Sequence, residues 1–212
     1  MNTDSMSPVF RGTLGIILLS WAACGMADGT DGSGEPTDPP WKQLGIVRDH
    51  RISEASGIAL SLRQPDAVWI HNDSGAPKWV FLVGLDGTTR AVLKLTGAGR
   101  PLDWEDMASL LIDGVPWLAI GDIGDNSHTR TLHGKENTSA MPSRVYLLPE
   151  PDMTGVTQLQ IEPPTTILFE FEDGPRNCES LAVDTQRREI LLISKSKPQP
   201  MDCGLYRMPL TL

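Results

Sequence analysis

The segments EASGIAL at residues 54–60, EDMASLL at 105–111 and ESLAVD at 179–184 share one pattern, a glutamate followed three residues later by glycine or alanine. We consider this internal repeat first, because repetition at a fixed period determines the whole architecture. A polar turn and an apolar run follow each copy, and the runs are Val68–Ile70, Trp117–Ile120 and Ile190–Ile193. Each copy therefore predicts two short strands joined by a turn.

Further apolar runs extend each copy towards four strands. They are Trp79–Val83 and Ala91–Leu95 in the first copy, Arg144–Leu148 and Ile167–Phe171 in the second, and Leu205–Met208 in the third. The repeated glutamates are 51 and 74 residues apart, and the polar stretch Ser127–Pro142 accounts for the longer interval. Four strands in about 40–50 residues is typical of a β-propeller blade. We therefore expect an all-β chain that folds as a β-propeller. A β-sandwich of similar short strands is the alternative.

The number of blades bears on whether such a propeller closes. The chain supplies about three four-stranded blades, and the last of them lacks its outer strand. A closed propeller usually needs at least about four blades. We therefore expect a partial propeller that belongs to a longer protein, since Leu212 falls inside a blade; assembly with other copies is the alternative.

The first forty residues have a different composition from the rest. Arg11, the short apolar run Leu14–Ala23 and Cys24 have the pattern of a secretory signal, and the cysteine resembles the lipidated residue of a bacterial lipoprotein. Ordinary cleavage nearby is the alternative. We predict a signal or lipoprotein signal at residues 1–24, a flexible polar linker at 25–40 and the propeller domain at 41–212. Export follows, to the periplasm, the cell envelope or the medium, with membrane contact only through a lipid anchor.

The net charge of the chain limits the classes of partner that it is expected to bind. There are 18 Lys and Arg against 27 Asp and Glu, a formal net charge of -9. Nucleic-acid binding needs a basic surface, so this balance argues against it. It is compatible with cation binding or with an ordinary acidic surface.

Acidic residues concentrate in DWED at 103–106 and GDIGDN at 121–126. In a four-stranded blade the loop before the first strand and the loop between the second and third strands emerge on the same face. The two motifs lie in or beside such loops, so their acidic residues, including Asp106, are expected together on that face. Clustered oxygen ligands of this kind suit Ca²⁺. We predict a calcium site formed by Asp103, Glu105, Asp122 and Asp125. On the same face we predict ligand-binding positions at Asp73, Glu105 and Lys195.

Several of these residues have structural alternatives. Glu54, Glu105 and Glu179 recur in every copy, so they could instead cap backbone N–H groups. Asp73 could simply form an Asx-turn. His71 is a weak candidate for a general acid or base, and a buried strand histidine is the alternative.

The cysteines allow one pairing if Cys24 is lipidated. Cys178 and Cys203 are then an even pair in an oxidising compartment, which predicts a disulfide. The expected topology places both on the acidic face, and the bridge would close a loop of about 25 residues. Two unpaired buried thiols are the alternative.

Four motifs together resemble a family of exported bacterial β-propellers, close to the NHL-like and phytase/esterase-like groups. They are EASGIA at 54–59, HNDSG at 71–75, DWED at 103–106 and GDIGDN at 121–126. The resemblance runs from about Ile52 to the C-terminus and implies a propeller of about six blades, half of it here. It implies no particular activity. Phytase-like propellers bind Ca²⁺ through acidic loops, but that comparison is by fold alone.

Two functions fit these observations. The first is an exported binding or scaffold propeller whose acidic face is stabilised by Ca²⁺ and meets an unknown ligand. The second is a metal-dependent phosphoesterase or esterase-like hydrolase, in which the cations polarise the substrate and activate water. A hydrolase also needs a base or a substrate-binding cation, for which only His71 and Lys195 with Lys197 offer themselves, so the sequence favours binding and leaves catalysis undecided.

Overall fold

A computed structural model describes residues 41–97, 103–132, 141–195 and 202–212 of the chain. The residues from Lys42 to Leu212 form one compact unit. The predicted signal, Cys24 and the linker at 25–40 lie outside the described residues. No helix in the described part of the chain is both long and apolar enough to cross a membrane.

The described residues form twelve β-strands and no helix, which confirms the all-β prediction. Each apolar run identified after Trp41 lies within a strand or overlaps one. The strands are β1 (Ala55–Leu60), β2 (Ala67–Asn72), β3 (Trp79–Gly84), β4 (Thr89–Leu95), β5 (Trp104–Ile112), β6 (Val115–Asp122), β7 (Ser143–Pro149), β8 (Gln158–Ile161), β9 (Thr165–Phe169), β10 (Cys178–Asp184), β11 (Glu189–Ser194) and β12 (Leu205–Pro209).

The strands make three open sheets, and none of them closes into a barrel. The first sheet has the order β1-β2-β3-β4-β8, the second β5-β6-β7-β9 and the third β10-β11-β12. All pairings are antiparallel except that of β8 with β4. The tight turn after β3 contains Asp86-Gly87, and Gly87 has φ 87°, a backbone conformation that glycine adopts without strain.

Strand β8 is the one element that the sequence pattern did not predict. It is a four-residue strand inside the connection from β7 to β9, yet it pairs with the edge of the first sheet. Its Leu159 and Ile161 pack against the core between the first two sheets. A strand this short owes its formation to the neighbouring β4 edge rather than to local periodicity.

Among the described residues, alternation along the strands builds three clusters of buried apolar side chains, and the two largest lie on opposite faces of the second sheet. Leu118 and Ile120 of β6 face the first sheet, where they join Trp69 and Leu82, while Ala119 between them faces the third sheet. A period of two is expected for strands buried on both faces. Strand β5 lies beside both β1 and β10, so the first strands of the three sheets are neighbours. Residues at the ends of these strands and in the loops beside them therefore meet at one end of the sheets.

Candidate functional site

Three carboxylates converge at this end of the sheets. Asp73 follows β2, Asp103 precedes β5, and Glu105 is the second residue of β5. One carboxylate oxygen from each lies within 4.8 Å of those of the other two. We call this group the acidic triad. Asp103 and Glu105 are each only 8% exposed, so two of the three charges are largely removed from water.

Gly124 forms part of the wall of the triad. A Cβ built on this residue would overlap Oε1 of Glu105 and the carboxylate of Asp103. Its backbone N–H, like that of Ile123, donates to the carbonyl oxygen of Asp103, at 3.2 and 3.1 Å. The glycine therefore allows the chain to pass directly against both carboxylates, a close approach that any side chain would prevent.

The carboxylate of Glu105 accepts no hydrogen bond and forms no ion pair with the described residues. Burial, and after it the negative charges of Glu179, Asp103 and Asp73, raise its pKa to about 8, against the opposing effect of Lys195. The pKa of Asp103 is also raised, by burial first and then by Asp73. Buried carboxylates at this separation repel one another unless a proton or a cation lies between them.

Lys195 lies at the edge of the triad. Its Nζ is 2.6 Å from Oε1 of Glu179, and its side chain is half-exposed. The hydrogen bond to Glu179 raises the pKa of Lys195, with smaller contributions from Glu105 and Asp103. This predicted ligand-binding lysine therefore carries its positive charge beside the triad, paired with a neighbouring glutamate.

Asp122, which the sequence predicted as a metal ligand, lies outside the triad. It is fully buried, and Arg130 binds both its Oδ1 and its backbone carbonyl at 2.6 Å. Oδ1 also accepts the backbone N–H of Asp103 at 3.1 Å, and Oδ2 accepts the hydroxyl of Tyr146 at 3.3 Å. Asp122 thus anchors the loop that carries Arg130 and holds Asp103 in place.

Asp125, the other predicted metal ligand, stabilises the same loop through hydrogen bonds to its backbone. Its two carboxylate oxygens accept the backbone N–H groups of Thr129 and Arg130, at 3.0 and 2.9 Å. Its own N–H donates to Oδ1 of Asn177 at 2.7 Å. The structure therefore brings together Asp103 and Glu105, predicted as metal ligands, with Asp73, predicted as a ligand-binding residue. Asp122 and Asp125 have other partners.

The recurring glutamates have different surroundings in the three sheets. Glu54 is exposed, Glu105 is buried, and Glu179 pairs with Lys195. None of the described backbone N–H groups donates to their carboxylates. Side chains of nearby residues accept backbone N–H groups instead. Oδ1 of Asn72 accepts the N–H of Glu54 at 3.2 Å, and Oδ2 of Asp106 accepts the N–H of Leu181 at 2.7 Å.

His71 is buried in the core between the first two sheets. Its Nδ1 lies 2.9 Å from the carbonyl oxygen of Asn72, and its ring meets Trp104 edge-on at 5.3 Å between centroids. A Cβ on Gly57 would overlap its Nε2. Burial lowers the pKa of His71, which matches the strand histidine named as the alternative to an acid or base.

The predicted disulfide is not formed. Cys178 is buried and Cys203 is exposed, and both are free thiols. Ser194 of β11 pairs with Cys178 on one side, while its backbone N–H donates to Gly204 on the other. The segments on either side of β11 are separated by two strand spacings of about 4.8 Å each. Their sum exceeds the distance of roughly 7 Å between Cα atoms that a disulfide can span. The prediction was wrong because one strand lies between the two cysteines.

Sequence reasoning missed the two buried arginines beside Asp122, Arg130 and Arg144. Arg130 lies in the polar stretch interpreted as an insertion, and nothing in the local pattern marks it. Arg144 did carry a signal, because it alternates with Tyr146 and Leu148, which are buried on the side of β7 that faces the first sheet. That period places Arg144 on the same side, where its side chain is buried.

No protein-family model matches this chain, and a search of curated proteins found no match to it.

Proposed function

We propose that this chain is a β-propeller binding module, exported from the cell, whose acidic triad holds a divalent cation at the face where its ligand binds. The observation that supports this most directly is the Glu105 carboxylate, which is buried, accepts no hydrogen bond from the described residues, and lies with Asp73 and Asp103. A charged group in such a place requires compensation, and a shared cation supplies it for all three.

The donor set favours Ca²⁺ among the common cations. All three groups are carboxylates, and hard oxygen ligands suit Ca²⁺ or Mg²⁺ rather than Zn²⁺. Calcium–oxygen distances of about 2.3–2.6 Å place ligand oxygens up to about 5 Å apart across the ion. The triad oxygens, all within 4.8 Å of one another, fit that range. Three ligands leave further coordination positions for water or for a bound molecule.

The propeller assignment rests on the order of the strands and on the repeat. Each sheet begins with the repeated glutamate segment, proceeds outward strand by strand, and has its first strand beside that of the next sheet. A propeller needs this arrangement. Export rests on the pattern from Arg11 to Cys24, and a lipid anchor at Cys24 would hold the module at the membrane surface.

Binding is favoured over hydrolysis by the position of His71. A general base must reach the water or the substrate. This ring is fully buried, with Trp104 edge-on to it and Gly57 against its Nε2. The triad with Lys195 at its edge instead resembles a site that binds an anionic group through the cation.

Elemental analysis tests the proposal without choosing a ligand. The full-length protein is dialysed against equal low concentrations of Ca²⁺, Mg²⁺ and Zn²⁺, and the retained metal is measured. We expect about one Ca²⁺ per chain in the unsubstituted protein and much less in Glu105→Gln. Retention of no metal, or equal retention in Glu105→Gln, would contradict the proposal.

A further inference from the structure

A second group of residues, distinct from the triad, lies on the face of the second sheet that packs against the first sheet, and we call the place that these residues surround the gap. Trp104, Asp122 and Arg144 are register partners on β5, β6 and β7, so they form one row across the second sheet. Ile120 and Tyr146, two residues from members of the row, pack in the core towards the first sheet. Residues two apart on a strand share a face. The row therefore faces the first sheet.

Lys78 approaches this row from the opposite side. It lies two residues before Val80, which packs in the same core from β3. Its ammonium group interacts electrostatically with Arg144 and Asp122, and burial followed by repulsion from Arg144 lowers its pKa. The attraction of Asp122 opposes this shift and is smaller than the repulsion from Arg144.

The charges in this gap do not balance. Asp122 supplies one negative charge, and its oxygens are occupied by Arg130, the Asp103 amide and the Tyr146 hydroxyl. Nε of Arg144 lies 3.5 Å from Oδ2 of Asp122. Asp103 also interacts with Arg130, so two carboxylates face Lys78, Arg130 and Arg144, and one positive charge is left in excess.

Several buried donors in the same place have no acceptor. Arg144 is 5% exposed, and its Nε and Nη2 make no hydrogen bond; the indole Nε1 of Trp104, also buried, makes none either. A buried N–H without a partner is costly, so such groups usually bind water or a ligand. The fork of a guanidinium is shaped to bind an oxyanion through two parallel hydrogen bonds.

We infer that the gap between the first and second sheets binds an oxyanion of the phosphate class, held by Arg144, the Trp104 indole and Lys78. The excess positive charge favours an anion, and the unpartnered donors match its oxygens. The site adjoins the triad, because the Asp103 amide donates to Asp122, and Asp73 and Lys78 belong to one loop. The inference does not depend on the proposed cation, since it rests on a different set of side chains.

The test uses full-length protein freed of metal, so that calcium phosphate cannot form and the failure of the cation site would not affect the result. Inorganic phosphate is titrated near pH 7.5 by calorimetry, with sodium chloride at matched ionic strength as the blank. We expect saturable binding. Arg144→Lys keeps the charge but loses the fork, and should weaken binding about tenfold, the equivalent of one charge-assisted hydrogen bond.

Two further variants keep the test informative if Arg144→Lys fails to fold. Lys78→Met changes a residue at the edge of the gap, and Trp104→Phe removes one donor without changing a charge; both should weaken phosphate binding severalfold. Arg207→Lys, on the exposed side of β12, should leave it unchanged. Acetate should bind more weakly than phosphate.

Some results would overturn the inference. They are the absence of saturable phosphate binding, affinities unchanged in all three variants of the gap, or acetate binding as tightly as phosphate. In the first two cases buried water would be the partner of these donors.

Discussion

Gly124 lies directly against the carboxylate of Glu105, so that a single added methyl group at position 124 would occupy the space of Oε1. The main chain of the β6–β7 connection thus sets the position of a buried acid from the neighbouring strand. The triad is shaped by backbone as well as by its own side chains.

Gly124→Ala should displace Glu105 and Asp103. We expect weaker Ca²⁺ binding and a loss of about 1–3 kcal/mol in the free energy of unfolding, the usual cost of overpacking a buried site. Calorimetry and urea denaturation measure the two effects. Gly121→Ala is the matched control, because its Cβ would meet the flexible tip of Ile123 at 3.1 Å. Unchanged Ca²⁺ binding in Gly124→Ala would show that the glycine does not shape the site.

Asp122→Asn separates a structural role from metal ligation. The amide keeps an oxygen for the Asp103 N–H but leaves Arg130 without a counter-charge in the core. Breaking a buried ion pair costs about 3–5 kcal/mol, so urea denaturation should show a large loss of stability. Ca²⁺ affinity of the folded variant should change little. Full stability together with lost Ca²⁺ binding would make Asp122 a metal ligand instead.

The sequence predicted the strands well because alternation and turn residues are local signals. The buried run of β6 and the Asp86-Gly87 turn needed no knowledge of distant residues. The repeat also places Asp103 and Glu105 at the start of the first strand of a sheet, where they lie close to Asp73. The contacts of Asp122 and Asp125 could not be predicted, because their partners, Arg130 and backbone amides, lie in a stretch without periodicity. Which charges pair is decided by tertiary packing, which local patterns do not record.

The raised pKa of Glu105 makes stability depend on pH. Its value of about 8 in the folded protein is above the ordinary 4.5, so between these values the folded state binds more protons than the unfolded state. The free energy of unfolding of metal-free protein should therefore fall as pH rises from about 4.5 to 8. Urea denaturation in a chelator measures this change. Glu105→Gln should flatten the dependence, and a rise in stability across this window that is absent in Glu105→Gln would contradict the assignment.

The two described cysteines should differ in reactivity. Burial raises the pKa of Cys178 to about 12, whereas Cys203 is exposed. Because the thiolate is the reactive form, alkylation of native protein should label Cys203, and Cys178 only after unfolding. Peptide mapping by mass spectrometry identifies each site, with Cys203→Ser as control. A peptide linked through Cys178 and Cys203 without reduction would show that the disulfide forms after all.

Calcium titration of the metal-free, full-length protein by calorimetry tests the central claim most directly. We expect one saturable site, lost or weakened at least tenfold in Asp73→Asn and in Glu105→Gln, but retained in Glu172→Gln, which removes an exposed carboxylate. Ca²⁺ at about 100 times the dissociation constant should also raise the free energy of unfolding by about 2.7 kcal/mol. Absence of saturable Ca²⁺ binding at millimolar concentration, or equal affinity in all three variants, would contradict a cation site at the acidic triad.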